Sequence, residues 1–211
     1  MGVFGFKAQC IALLVVIAAL PSFANSNEYL VTVNTASVSG TSGFLEFQFA
    51  PGDASSQAAF VEIGNFAASG GSLSGAPVLN GGASGDLSSV LLIDNSTAFN
   101  DYFQGFNYGS GYQFILTLGG PAITNPNGTS TSGSTFALAM YDSATNPILT
   151  TDPSGFAFLV QVNLDGTNTP QNISGDPSLI TVTSIPEPGS LTLLGTAAAG
   201  LLGLARRRFV V

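Results

Sequence analysis

The chain has no histidine, no tryptophan and one cysteine, Cys10. Its basic residues number four in 211, and all stand near the ends: Lys7 in front, Arg206, Arg207 and Arg208 behind. From Asn25 to Ile185 there is no Lys, Arg, His or Cys. Each absence removes a class of function. Without His or Cys, that stretch cannot build a Ser-His-Asp or Cys-His nucleophile. It also lacks the usual ligands for zinc or copper, and no disulfide can staple it. Without Lys or Arg it cannot neutralise phosphates, so nucleic acid is excluded as a partner, as is an anionic membrane surface. Eleven of the twelve acids, all but Glu187, lie in this same stretch. Internal ion pairs are therefore impossible there. Folding must rest on apolar burial and backbone hydrogen bonds, against the mutual repulsion of the acids.

The N-terminus reads as a signal peptide over residues 1–24. Lys7 supplies the positive start, Ile11–Leu20 is an uncharged apolar run, and Pro21 breaks it. Ser22-Phe23-Ala24 puts small residues where a signal peptidase needs them, with cleavage after Ala24. A ten-residue run is too short to cross ~30 Å of hydrocarbon.

Between residues 25 and 184 no amphipathic helical period is evident. Short alternating segments recur, separated by Gly, Pro, Asn and Asp, which is the pattern of β-strands joined by turns. Nine strands are expected: Tyr29–Val33, Phe44–Phe49, Ala58–Phe66, Leu87–Ile93, Ala98–Phe106, Tyr112–Leu118, Phe136–Tyr141, Gly155–Leu164 and Leu179–Thr183. In the second, Leu45, Phe47 and Phe49 face one way and Glu46 and Gln48 the other. Leu87–Ile93 is almost continuously apolar and is expected to be central in its sheet. Gly70–Gly85 reads as a Gly/Ser-rich loop. The spacing predicts an all-β fold, a single antiparallel β-sandwich of jelly-roll-like form, flanked by the signal peptide and a C-terminal transmembrane helix.

That C-terminal segment occupies residues 185–211. Pro186-Glu187-Pro188 interrupts regular structure, seventeen uncharged residues follow from Gly189 to Ala205, and Arg206-Arg207-Arg208 ends the run. Seventeen residues at 1.5 Å rise reach ~25 Å, a short transmembrane helix. The arginines are expected to stay cytoplasmic, which puts residues 25–188 outside the inner membrane. In that order and at the chain end, these three parts resemble the PEP-CTERM sorting signal of Gram-negative, exopolysaccharide-producing bacteria. The resemblance implies recognition by an exosortase, a membrane cysteine transpeptidase, which cuts near Pro186-Glu187-Pro188. Tyr29–Thr35, Gly43–Gly52, Asn100–Phe103, Leu116–Ala122 and Tyr141–Gly155 also resemble a recurrent family of PEP-CTERM proteins of unknown function. No catalytic residue carries over from it.

Within the body, a phosphate-binding Gly-rich loop leading into a helix is lacking. Asp94, Asp101, Asp142, Asp152 and Asp165 offer carboxylates for glycoside hydrolysis. Most of them neighbour Gly, Pro, Asn or Ser, where Asp ordinarily forms turns. Glu46 and Glu62 read as solvated residues on polar strand faces. Calcium is the one metal whose ligand chemistry is present, with Asp94, Asn100, Asp101 and Asp152 as candidate oxygen donors. Tyr102, Tyr108 and Tyr112 lie in an aromatic cluster; their alternation with small residues favours a place in the core, and stacking platforms for sugar rings are the alternative. The expected function is that of an exported, non-enzymatic surface or matrix protein needing no cofactor. A carbohydrate-binding module for exopolysaccharide and a carboxylate-dependent glycan hydrolase are the alternatives.

Overall fold

Alternation of side chains dictates the architecture. In Ser42–Pro51 the residues Leu45, Phe47 and Phe49 are fully buried, and in Ser134–Asp142 so are Phe136, Leu138 and Met140. Each strand presents one apolar face, and a strand of this kind is stable only when that face is covered. The computed structural model describes residues 27–186, 195–197 and 200. Its strands are β1 Glu28–Asn34, β2 Ser42–Pro51, β3 Phe60–Ser69, β4 Ser72–Asn80, β5 Ala83–Gly85 and β6 Val90–Asp94. They continue as β7 Asp101–Asn107, β8 Gly111–Gly119, β9 Ser134–Asp142, β10 Phe156–Val162, β11 Asn168–Asn172 and β12 Ile180–Ser184. A 3-10 turn at Ala36–Val38 and one helical turn, α1 Pro121–Thr124, complete the elements.

The strands form two six-stranded antiparallel sheets, β12-β1-β8-β3-β6-β5 and β11-β10-β9-β2-β7-β4. Their apolar faces meet in one core. Phe47 of β2 crosses to Phe114 of β8 with ring centroids 5.4 Å apart, and Phe106 of β7 meets Phe66 of β3 at 6.0 Å. Successive strands alternate between sheets over β1–β4, and again at β6, β7 and β8. All-β content and antiparallel pairing thus agree with the alternation in the sequence, and residues 27–185 make one compact unit.

Two expectations change, and one strand is added. Gly70–Gly85 is not a loop: it carries β4 and β5. β4 is an edge strand, exposed along most of its length, so its residues follow the hydrogen-bond ladder to β7 without an apolar alternation to reveal it. β6 is not central, because only three-residue β5 lies beyond it. β11, Asn-Thr-Pro-Gln-Asn, has no aliphatic residue and escapes any hydrophobic pattern. Among the described residues no helix is long and apolar enough to cross a membrane. The signal peptide with Ala24 lies outside the described residues, as do Glu187, Pro188 and Arg206–Arg208. So does most of the expected span 189–205, although residues 195–197 and 200 are helical.

Candidate functional site

The three candidate tyrosines belong to the core. Tyr102, Tyr108 and Tyr112 are buried, and Phe47, Phe66, Phe106 and Phe114 pack around them. Tyr102 donates to Gln104 Oε1 at 2.7 Å, and Tyr108 donates to the Phe44 carbonyl at 2.8 Å. Burial pushes all three hydroxyls well toward the neutral form. Their ring faces are covered by other side chains and offer no platform to a sugar. Their alternation with small residues in the sequence points to this core placement, and all three are buried.

Each candidate calcium ligand already has a partner within the fold. Asn100 is buried, and its Oδ1 accepts from Gly82 N–H, Thr97 N–H and the Thr97 hydroxyl at 2.9, 3.2 and 2.6 Å. That acceptor is fully occupied within the fold. Asp94 caps the turn to Ser96, and Asp152 caps the turn to Ser154. No group of three or more His, Cys, Asp or Glu able to hold a metal occurs among the described residues.

One local rule accounts for five of the eight aspartates. Asp53, Asp86, Asp152, Asp165 and Asp176 each accept the backbone N–H and the hydroxyl of a Ser or Thr two residues on: Ser55, Ser88, Ser154, Thr167 and Ser178. This Asp-x-Ser/Thr arrangement offers the backbone a turn in place of a strand ladder. The two hydrogen bonds favour the carboxylate and hold these five groups below the ordinary range.

Glu46 and Asp101 differ. Both lie on the outward face of the second sheet, yet they are only 7% and 3% exposed. Glu46 was expected to be solvated, and its cover comes from β9. Ala137 and Ala139 pair with Gln48 and Glu46 across the ladder, leaving room for the Tyr141 ring to lean over Glu46. The Tyr141 hydroxyl donates to Glu46 Oε2 at 2.5 Å, and Gln48 Nε2 donates to Oε1 at 2.5 Å. Asn80 Nδ2 donates to Asp101 Oδ1 at 2.7 Å. Burial pushes the Asp101 carboxyl up; the Asn80 bond opposes this and the nearby charge of Glu46 adds to it. Burial also raises the Tyr141 hydroxyl, reinforced by Glu46 and Asp101.

Aromatic rings adjoin this pair. Phe44 of β2 stacks on Phe103 of β7 with centroids 4.7 Å apart and planes 22° from parallel, and Phe103 lies 5.9 Å from Tyr141. A groove of about 440 Å³ runs beside Phe44 and Phe103, bounded by Ser74–Ala76 and Val78 of β4 and by Asn107 and Ser143. The ladder from β4 to β7 shifts register between Ser74 and Val78, which lifts this stretch of β4 into a wall. Gly105 permits the close approach, since a Cβ there would sit 2.4 Å from the Ser74 carbonyl oxygen. Val78, at 55% exposure, forms the rim. The face therefore combines stacked rings, two desolvated carboxylates, the amides of Gln48 and Asn80, and no cation.

Comparison with known families places the PEP-CTERM protein-sorting motif at residues 184–208. The match includes Pro186-Glu187-Pro188 and Arg206–Arg208, so the tail is marked for exosortase and the chain for export. No curated protein and no solved structure matches the chain.

Proposed function

We propose that this chain is the precursor of an exported surface or extracellular-matrix protein of a Gram-negative, exopolysaccharide-producing bacterium, and that its β-sandwich works without catalysis. Signal peptidase cuts after Ala24 and exosortase cuts near Pro186-Glu187-Pro188. Before that second cut the 189–205 segment holds the precursor in the inner membrane. The alternation of strands between the two sheets supports a jelly-roll-like reading of the body.

One observation carries the proposal: the sorting motif begins where the fold ends. The Ile185 N–H donates to the Glu28 carbonyl at 2.8 Å, extending the β1–β12 ladder, and Pro186 is the next residue. Proline has no N–H and cannot continue a ladder. The ladder of the body thus closes before Pro186-Glu187-Pro188, with the 184–208 match overlapping it only at Ser184 and Ile185, and β1 begins four residues beyond the Ala24 cut. Both processing steps leave every strand intact.

The test is mass spectrometry of the protein recovered from its own host. The expected N-terminus is Asn25 and the expected C-terminus falls within residues 185–189. Mature protein that retains Arg206–Arg208 would identify a permanent single-span anchor and overturn the exosortase reading.

A further inference from the structure

We infer that the outward face of β2, β7 and β9, with the groove beside it, binds an uncharged glycan chain. The ligand class follows from what the face offers and what it lacks. Stacked Phe44 and Phe103 and the adjoining Tyr141 present ring surface to the C–H face of a pyranose. When ionised, Glu46 and Asp101 can accept hydrogen bonds but not donate them, and each carboxylate has about four acceptor positions. Tyr141 and Gln48 fill two on Glu46, and Asn80 fills one on Asp101. At 7% and 3% exposure these carboxylates are nearly closed to a ligand, so polar contacts to it fall to the side chains that line the groove, Ser42, Ser74, Asn107 and Ser143. The groove, at about 440 Å³, has the size of a small-molecule or oligosaccharide site.

Other occupants fit worse. An acidic polysaccharide meets eleven acids and no cation between residues 25 and 185. A second copy of the chain brings the same unrelieved negative charge. An apolar peptide would cover the rings but leave the Ser74 and Ser143 hydroxyls of the groove without polar partners. A neutral polyhydroxyl chain supplies both the apolar C–H surface and the hydroxyl donors. The reading rests on export only for access to such a chain.

The test is affinity electrophoresis of the full-length protein, held in a zwitterionic detergent free of sugar, through gels containing dextran, mannan or hydroxyethylcellulose, with alginate as the anionic control. The wild type is expected to be retarded by at least one neutral polymer and not by alginate. Phe103→Ala and Glu46→Gln are each expected to weaken that retardation about tenfold and Val78→Ser about threefold. Gln113→Ala, on the outward side of the other sheet, should match the wild type. If Phe103→Ala loses its near-ultraviolet circular dichroism, Glu46→Gln and Val78→Ser carry the test. Absence of retardation by all three neutral polymers, stronger retardation by alginate, or face variants equal to wild type would overturn the inference. Release of reducing ends by wild type but not by Asp101→Asn would leave glycan contact standing and overturn the non-enzymatic reading instead.

Discussion

Tyr112 ends in a hydroxyl with no hydrogen-bond partner among the described residues, although the residue is buried among Phe66, Phe106 and Phe114. An unmet buried polar group costs ~1–3 kcal/mol. Tyr112→Phe keeps the ring contacts and deletes that cost. It should raise the thermal midpoint by about 2–4 °C, or ~1 kcal/mol, in a domain of this size; a lower midpoint would mean the hydroxyl is in fact bonded. The carboxylates divide by sign. Asp53, Asp86, Asp142, Asp152, Asp165 and Asp176 are held below the ordinary range by hydrogen bonds. Their stabilisation is complete above the unfolded carboxylate range and is lost as pH falls through their lower folded values. Asp101 is raised, so its contribution is complete below the unfolded value and lost as pH rises through the folded one. Asp101→Asn should therefore unfold at higher urea than wild type at pH 7. The difference should narrow as pH falls through the raised folded value of Asp101 and vanish below the ordinary carboxylate range, where both side chains are neutral. A constant difference would place the cause elsewhere.

At the level of elements, nine of the strands were readable because each sets one apolar face against the core. β4, β5 and β11 were not, since they lie at or beside sheet edges and are held by ladders more than by burial. The face of β2, β7 and β9 shows the same limit. Alternation correctly put Phe47 inside and Glu46 outside, but it could not say that Tyr141, 95 positions away, would cover Glu46. A signal was present in Phe44 and Phe103, aromatic residues out of phase with the inward Leu45, Phe47, Tyr102 and Phe106. Strand spacing also makes a prediction at Gly43. A Cβ there would lie 1.9 Å from the Tyr141 carbonyl oxygen and 2.9 Å from the Tyr108 ring. Gly43→Ala must push β2 and β9 apart, and should cost about 1–3 kcal/mol in urea unfolding. An unchanged midpoint would show that the pair can separate freely.

For the whole molecule, the governing quantity is charge of one sign. Between residues 25 and 185 eleven acids face no base, so added salt can only screen repulsion. Raising NaCl from 0.01 to 0.15 M shortens the screening length from ~30 Å to ~8 Å and should raise the thermal midpoint of the mature protein. A fall would contradict the account. At matched ionic strength Ca²⁺ and Mg²⁺ should act alike, because Asp94, Asn100, Asp101 and Asp152 are engaged separately within the fold. A rise specific to Ca²⁺ would reveal a cation site.

The pairing of β1 with β12 has a mechanical consequence. The strands are antiparallel, with Tyr29 opposite Ser184 and Val33 opposite Ile180, so both ends of the body leave from the same corner. Traction applied through Ile185 meets the rungs in succession, from Glu28 inward, and the boundary strand yields by peeling. Had the ends left from opposite corners, all rungs would resist together in shear. A body fastened by its C-terminus in this way gives first at the seam where the chain's two ends meet, with β12 parting from β1 before the other eleven strands are disturbed.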